Sequence, residues 1–274
     1  MTLKIREISY LLLALCLLLS ADTLQVQAKK KPRLKYHLVF HDEFNQPDGS
    51  QPDSTVWSRV PRAKNLWAKW NSDLKDVVYI KNGKLICRAI PNTILPNDTA
   101  KMLAGAVNTR NKFSFKYGRV EVKMKTNGKK GNFPAAWMRP EKDGKPYRYG
   151  EIDIVEYFGD EKIARQTIHS HRSVILNKKD IPNEFNTNVK DRTKWHVYAI
   201  EWSDSEIKTF VDGNITGCYV KSSDDGLLAE GQWSFDSDFF LILNQSVGYG
   251  NWYTPNLHDV YETEFDWVRV YQKL

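Results

Sequence analysis

Glu151, Asp153 and Glu156 punctuate an otherwise apolar run, Gly150-Glu151-Ile152-Asp153-Ile154-Val155-Glu156-Tyr157. Apolar strands seldom carry so many acids, because an ionised group is costly to take out of water. Side chains alternate along a regular strand, so Glu151 and Asp153 share a face and Glu156 points the other way. One extra residue at Ile154-Val155, a β-bulge, returns Glu156 to the first face and sends Ile152, Ile154 and Val155 inward. All three carboxyl groups then project in a row from one surface.

Two carboxyl groups held in this way can flank a glycosidic bond. Retaining hydrolysis needs them about 5–5.5 Å apart and inverting hydrolysis about 6.5–9.5 Å. Two Glu on one curved strand, with a shorter acid between them, suit the closer spacing. Repulsion in the row raises the pKa of at least one member. The expectation is therefore an ionised Glu151 as nucleophile and a protonated Glu156 as general acid, which becomes the base once the leaving group has departed. A calcium site or a solvated acidic edge strand is the competing reading, but a calcium loop requires Gly and carbonyl ligands in a turn rather than a β-branched apolar filling.

The elements that must position this row read as short strands: Tyr36 to Phe40, Val77 to Ile80, Lys84 to Ala89, Arg119 to Lys125, Glu151 to Tyr157, Val197 to Trp202, Ile207 to Val211, Phe239 to Leu243 and Phe265 to Tyr271. Turns of the Asn-Gly and Asp-Gly hairpin type fall at Lys81-Asn82-Gly83-Lys84 and Val211-Asp212-Gly213-Asn214. No stretch keeps helical periodicity for three full turns. Many short antiparallel strands predict an all-β sandwich or barrel, using the chain from Leu34 to its end.

Residues 1–28 read as a secretory signal peptide: Lys4 and Arg6 precede the apolar run Leu11 to Leu19, and Val26-Gln27-Ala28 supplies small residues for cleavage. The run is too short for a membrane span, which needs roughly 20 apolar residues. The residue before Cys16 is Leu15, where a lipid-attachment site needs a small one. The expectation is thus a secreted or periplasmic protein without a lipid anchor, and a monomer by default. Beyond the leader only Cys87 and Cys218 remain, read as two separate thiols in preference to a disulfide, although an oxidising compartment permits the pair. The formal charge of +7 is carried by scattered lysines, apart from Lys29 to Lys31, and does not select a nucleic-acid partner. Nine Trp and thirteen Tyr exceed what a core requires. Pyranose rings expose C–H faces that stack on such rings, so a glycan partner accounts for the excess.

With these residues in view, the chain resembles glycoside hydrolase family 16, whose bulged subgroup carries E-[IL]-D-[IF]-[VIM]-E, met by Glu151 to Glu156. His41-Asp42-Glu43-Phe44, Tyr117-Gly118-Arg119-Val120-Glu121-Val122, Phe133-Pro134-Ala135-Ala136-Trp137, Thr167-Ile168-His169 and Phe265-Asp266-Trp267-Val268-Arg269-Val270-Tyr271 match further family segments in order. The resemblance implies a β-jelly-roll sandwich with a concave glycan-binding cleft. It makes Glu151 the nucleophile, Asp153 the assisting acid and Glu156 the acid/base. It puts Trp137 under a sugar on the glycone side and His169 beside the carboxylates, with Arg110, Trp233 and Asn244 as further cleft residues. Some relatives hold a structural calcium through acids corresponding to Glu43 and Asp266; the chemistry itself requires no cofactor.

Phe133 stands where the family segment begins with Trp, and Ser170 follows His169 where many β-1,3-glucan hydrolases have Trp. Both trim aromatic surface from a laminarin cleft. His169 to Asn186 and Glu230-Gly231-Gln232-Trp233 look more like members that cut galactose-containing chains, including host O-glycans. β-1,3- and mixed-linkage glucans stay open as substrates. A transglycosylase using the same intermediate, and a lectin-like domain without catalysis, are the alternative functions; the second requires loss of a carboxylate that this chain retains.

Overall fold

The computed structural model describes residues 36–142, 148–248 and 254–274. The leader at 1–28, Cys16, the basic run Lys29 to Lys31 and the proposed domain start at Leu34 lie outside the described residues.

Among the described residues sixteen strands follow in chain order: β1 (Tyr36–Asp42), β2 (Ser58–Arg59), β3 (Val78–Ile80), β4 (Leu85–Pro91), β5 (Met102–Asn108), β6 (Ser114–Phe115), β7 (Gly118–Thr126), β8 (Asn132–Pro140), β9 (Gly150–Glu156), β10 (Ile163–Ser170), β11 (Glu184–Asn188), β12 (His196–Trp202), β13 (Glu206–Val211), β14 (Asn214–Val220), β15 (Phe239–Val247) and β16 (Tyr261–Lys273). Between them, again among the described residues, sit two short α-helices, α1 (His171–Val174) and α2 (Asp225–Ala229), and one 3-10 turn (Lys75–Val77). The strands pair in the order β11-β10-β9-β8-β15-β5-β4-β16-β7-β12-β13-β14. This path folds into two facing layers, joined where β4 pairs with β5, to give the jelly-roll sandwich.

Periodicity explains the layering. Along β7, Val120, Val122 and Met124 are buried and alternate with half-buried Arg119, Glu121, Lys123 and Lys125. Those apolar residues meet Ala136, Met138, Ile152, Ile154, Val155, Leu241 and Leu243 from the other layer in one continuous core. The hairpin turns are as the sequence predicts: Asn82 and Gly83 have φ of 53° and 65°, and Asp212 and Gly213 have 50° and 79°. Positive φ at both central positions is the I′ signature that matches strand twist.

Strands β2, β5, β6, β8, β10, β11 and β14 escape the sequence reading; β2 and β6 are only two residues long. β5 and β8 are buried on almost every residue, so they show no alternation, and Gly105 and Pro134 dilute their β character further.

The bulge in β9 is in the register itself. Trp137 pairs with Asp153 and Ala136 with Val155, which leaves Ile154 as the extra residue; the β10 side shows a matching shift between Arg165 and Ile168. A bulge frees a carbonyl from the ladder, and a buried carbonyl must find a donor. Gln166, fully buried on β10, donates Nε2 to the Ile154 carbonyl at 2.9 Å. Its Oε1 accepts the Thr216 hydroxyl at 2.6 Å, so the amide ties the bulge to the opposite layer. Gly150 opens β9 because a Cβ there would lie 2.8 Å from the Ser234 carbonyl oxygen.

Candidate active site

The outer face of the β10-β9-β8-β15 layer lines a cleft of about 610 Å³. Glu151, Asp153 and Glu156 all open into it from β9. β8 contributes Phe133, Ala135, Trp137 and Arg139 from alternate positions, β10 contributes Arg165, Thr167 and His169, and β15 contributes Asn244. Their neighbours Ile152, Ile154, Val155, Ala136, Met138 and Ile168 face the core. The period of two therefore divides each strand into a chemical face and a packing face.

An aromatic and apolar floor lies beside the acid row. Trp137, Ala135, Phe240 and Ile242 pack with Val60 and Trp67. The Trp67 and Trp137 rings meet edge to face, with centroids 4.9 Å apart and an interplanar angle of 89°. The Trp137 indole donates to Asn244 Oδ1 at 2.8 Å, and Asn244 Nδ2 in turn donates to Ser246 Oγ at 3.0 Å. Asn244 thus fixes the indole plane. Trp67 carries no alternation that could have revealed it, because it sits in an irregular segment.

The acids are closely coupled. Burial first, and then Asp153, push Glu151 up to about 7; His169, Arg139 and a Tyr149 hydrogen bond act in the opposite direction. Burial also leads for Glu156, followed by Asp153, Glu151 and a hydrogen bond with Asp153, and holds it well above its usual 4.5 against the pull of Arg165. Burial disfavours the charged form of His169, but Asp153 and Glu151 outweigh it and raise the imidazole to about 9. Its Nε2 lies 3.1 Å from Asp153 Oδ2, off the hydrogen-bond axis, and 3.7 Å from Glu151 Oε1. The row thus pairs one imidazolium with acids that compete to keep a proton.

A stability consequence follows from Glu156. Near pH 4 and below, the group is protonated in both folded and unfolded chains and costs nothing; as pH rises past 4.5 the unfolded chain releases a proton that the folded one retains, so stability falls. Glu156→Gln removes that cost, and its Tm should exceed the parent's at pH 7, by about 2–4 °C for each kcal/mol recovered. The difference should shrink towards pH 4. Thermal melts across pH check this, and a Gln variant less stable at pH 7 would contradict it.

Four sequence candidates lie elsewhere. Trp233 belongs to the core, with its ring stacked on Tyr219 at 6.2 Å and edge-on to Phe235 at 5.3 Å; an aromatic excess does not say which face a ring takes. Arg110 is exposed beyond the cleft lining, its guanidinium over the Phe240 ring at 5.4 Å. Glu43 and Asp266 do not fit a calcium site. Arg269 clamps both oxygens of Glu43 at 2.8 and 2.9 Å, while Lys84 and Lys123 hold Asp266 at 2.9 and 2.7 Å. A metal would have to displace these cations. Cys87 is a buried thiol pushed up to about 12 by burial, and Cys218 is a separate, half-buried thiol, so they form no disulfide.

Residues 70–229 match the family model for Glycosyl hydrolases family 16. The keratan-sulfate endo-1,4-beta-galactosidase of Sphingobacterium multivorum is 32% identical over 92% of this chain, which spans only 59% of that relative's length. The laminarinase structure from Rhodothermus marinus superposes with a TM-score of 0.75 at 26% identity, over 88% of this chain and 99% of that one. A structure from work on endo-acting O-glycanases that human gut microbes use to initiate mucin breakdown gives 0.72 at 28% identity, over 85% and 98%.

Proposed function

The chain belongs to glycosyl hydrolase family 16, and from that premise we propose that it is an endo-acting β-glycanase that cleaves with retention of anomeric configuration. The observation that carries this reading is the bulge at Ile154, which brings Glu156 to the same cleft as Glu151 with Asp153 between them. In this mechanism Glu151 attacks the anomeric carbon while Glu156 delivers its proton to the departing glycosidic oxygen. Water then gives a proton to Glu156, attacks the anomeric carbon and releases Glu151 from the glycosyl ester. Trp137 and Trp67 supply the stacking floor beside the acid row. His169 and Asp153 hold charge between the two glutamates. No step uses a metal.

The substrate we propose is a galactose-containing β-glycan. Support comes from the identity with the keratan-sulfate endo-galactosidase, from the likeness to the structure reported with O-glycanases, and from Phe133, which lines the cleft with a smaller ring than Trp. Ser170 is buried off the cleft, bonded to Ser173 and Asp180, so the expectation that it trims the cleft does not hold. The likeness to the Rhodothermus laminarinase makes β-glucan the second reading. The leader at 1–28 supports export, and among the described residues no helix is long and apolar enough to cross a membrane. One panel of keratan-type and mucin O-glycans, agar-type galactans, laminarin and barley β-glucan, read by product size, tests both readings. Short oligosaccharide ladders from the galactose-containing members are expected. Ladders from the glucans alone would replace the substrate assignment, and single sugars would remove endo action.

A further inference from the structure

We propose, resting on the retaining reading above, that Tyr149 and Arg139 are positioning residues that clamp one oxygen of Glu151 and leave the other to attack the sugar. The Tyr149 hydroxyl donates to Glu151 Oε2 at 2.8 Å. The Arg139 guanidinium lies 3.6 Å from that same oxygen and 4.4 Å over the Tyr149 ring, so the two side chains brace each other. The other oxygen, Oε1, faces His169 Nε2 at 3.7 Å. All four residues line the cleft. Tyr149 precedes Glu151 by two residues and so emerges on the same face, on the side away from Asp153.

The clamp has two effects. A carboxylate tethered through one oxygen cannot rotate freely, so Oε1 is presented in one orientation, the near-attack requirement that displacement at carbon imposes. A donor and a cation on Oε2 also favour the ionised form, against burial and the repulsion of Asp153. The charged groups facing Glu151 are Arg139 from β8, His169 from β10, and Asp153 and Glu156 from β9; Arg165 and Glu184 line the same cleft. Burial and Glu151 push the Tyr149 phenol well above the ordinary tyrosine range, so it remains a donor throughout. When the glycosyl ester forms through Oε1, Oε2 becomes its carbonyl oxygen and still accepts from Tyr149.

The test uses the full chain and a glycan that the parent enzyme cuts, with kcat, KM and the pH dependence of kcat/KM measured for Tyr149→Phe and Arg139→Gln. Each should lower kcat by about 10–100-fold with KM within about threefold. Each should also move the acidic limb of kcat/KM to higher pH, because Glu151 loses a group that favours its ionised form. A purely structural role would lower the amount of active enzyme without moving the limb. An unmoved limb, or a loss confined to KM, overturns the clamp. Glu151→Gln measured alongside separates the failures: full activity there removes the retaining reading itself, whereas an inactive Glu151→Gln with a parental profile in Tyr149→Phe removes only the clamp.

Discussion

Glu151→Gln is expected to lower kcat by about 10⁴-fold or more, the order seen when a nucleophile is removed from a group that acts as a unit, while the glycan continues to bind. The amide is nearly isosteric, its oxygen can still accept from Tyr149, and the Trp137 floor is untouched because Asn244 holds it. What disappears is the negative oxygen that forms the covalent bond. Removing one carboxyl group from the row also relieves repulsion on Glu156, so the protein should fold at least as well as its parent. Calorimetric titration with an oligosaccharide, beside a turnover assay, distinguishes lost chemistry from lost binding. Turnover within tenfold of the parent would remove Glu151 from its role.

Glu156→Ala has a different expected signature, because the residue acts in both halves of the reaction. On the polysaccharide the rate should fall by about 10²–10⁴-fold, the usual range for a positioned proton donor. On an aryl glycoside whose leaving group departs without a proton, formation of the glycosyl ester should be nearly spared and its breakdown should limit turnover. Azide needs no base, and it should enter the space left by the side chain, restore turnover and give a glycosyl azide of β configuration. A loss that is uniform across leaving groups, with no azide product, would show that Glu156 serves the fold or the binding of sugar and not proton transfer.

Both expectations depend on a feature that was legible in the sequence for a physical reason. Acids are rare in apolar strands, so Glu151, Asp153 and Glu156 stood out, and the spacing of Glu156 made sense only with an extra residue. The register puts that residue at Ile154. The Asn82-Gly83 and Asp212-Gly213 turns were legible because positive φ restricts the residue types. The centre of the cleft layer was not. β5 and β8 are buried at almost every residue, and the cleft face of β8 is itself mostly apolar, with Phe133, Ala135 and Trp137, so no polar side marks the period.

The remaining site residues show how far pattern extends. Tyr149 and Arg139 each lie two positions from a recognised cleft residue, Glu151 and Trp137, so their face could be inferred, but their mutual contact could not. Gln166 reads as an ordinary polar residue until its carbonyl partner in the bulge is known. Glu43 and Asp266 drew attention through the resemblance, yet their partners Arg269, Lys84 and Lys123 come from β16, the turn before β4, and β7. Charge pairing across such separations is a property of the folded layers, and local pattern does not contain it.

The most direct test of the central claim is the configuration of the newly released reducing end, followed by proton NMR during the first minutes of hydrolysis. If both glutamates act from the same cleft through a glycosyl ester, the β-hemiacetal accumulates first and mutarotation brings in the α form later. An α-anomer at the earliest times would mean a single displacement by water, and the bulged carboxylate pair would then have been assigned the wrong reaction.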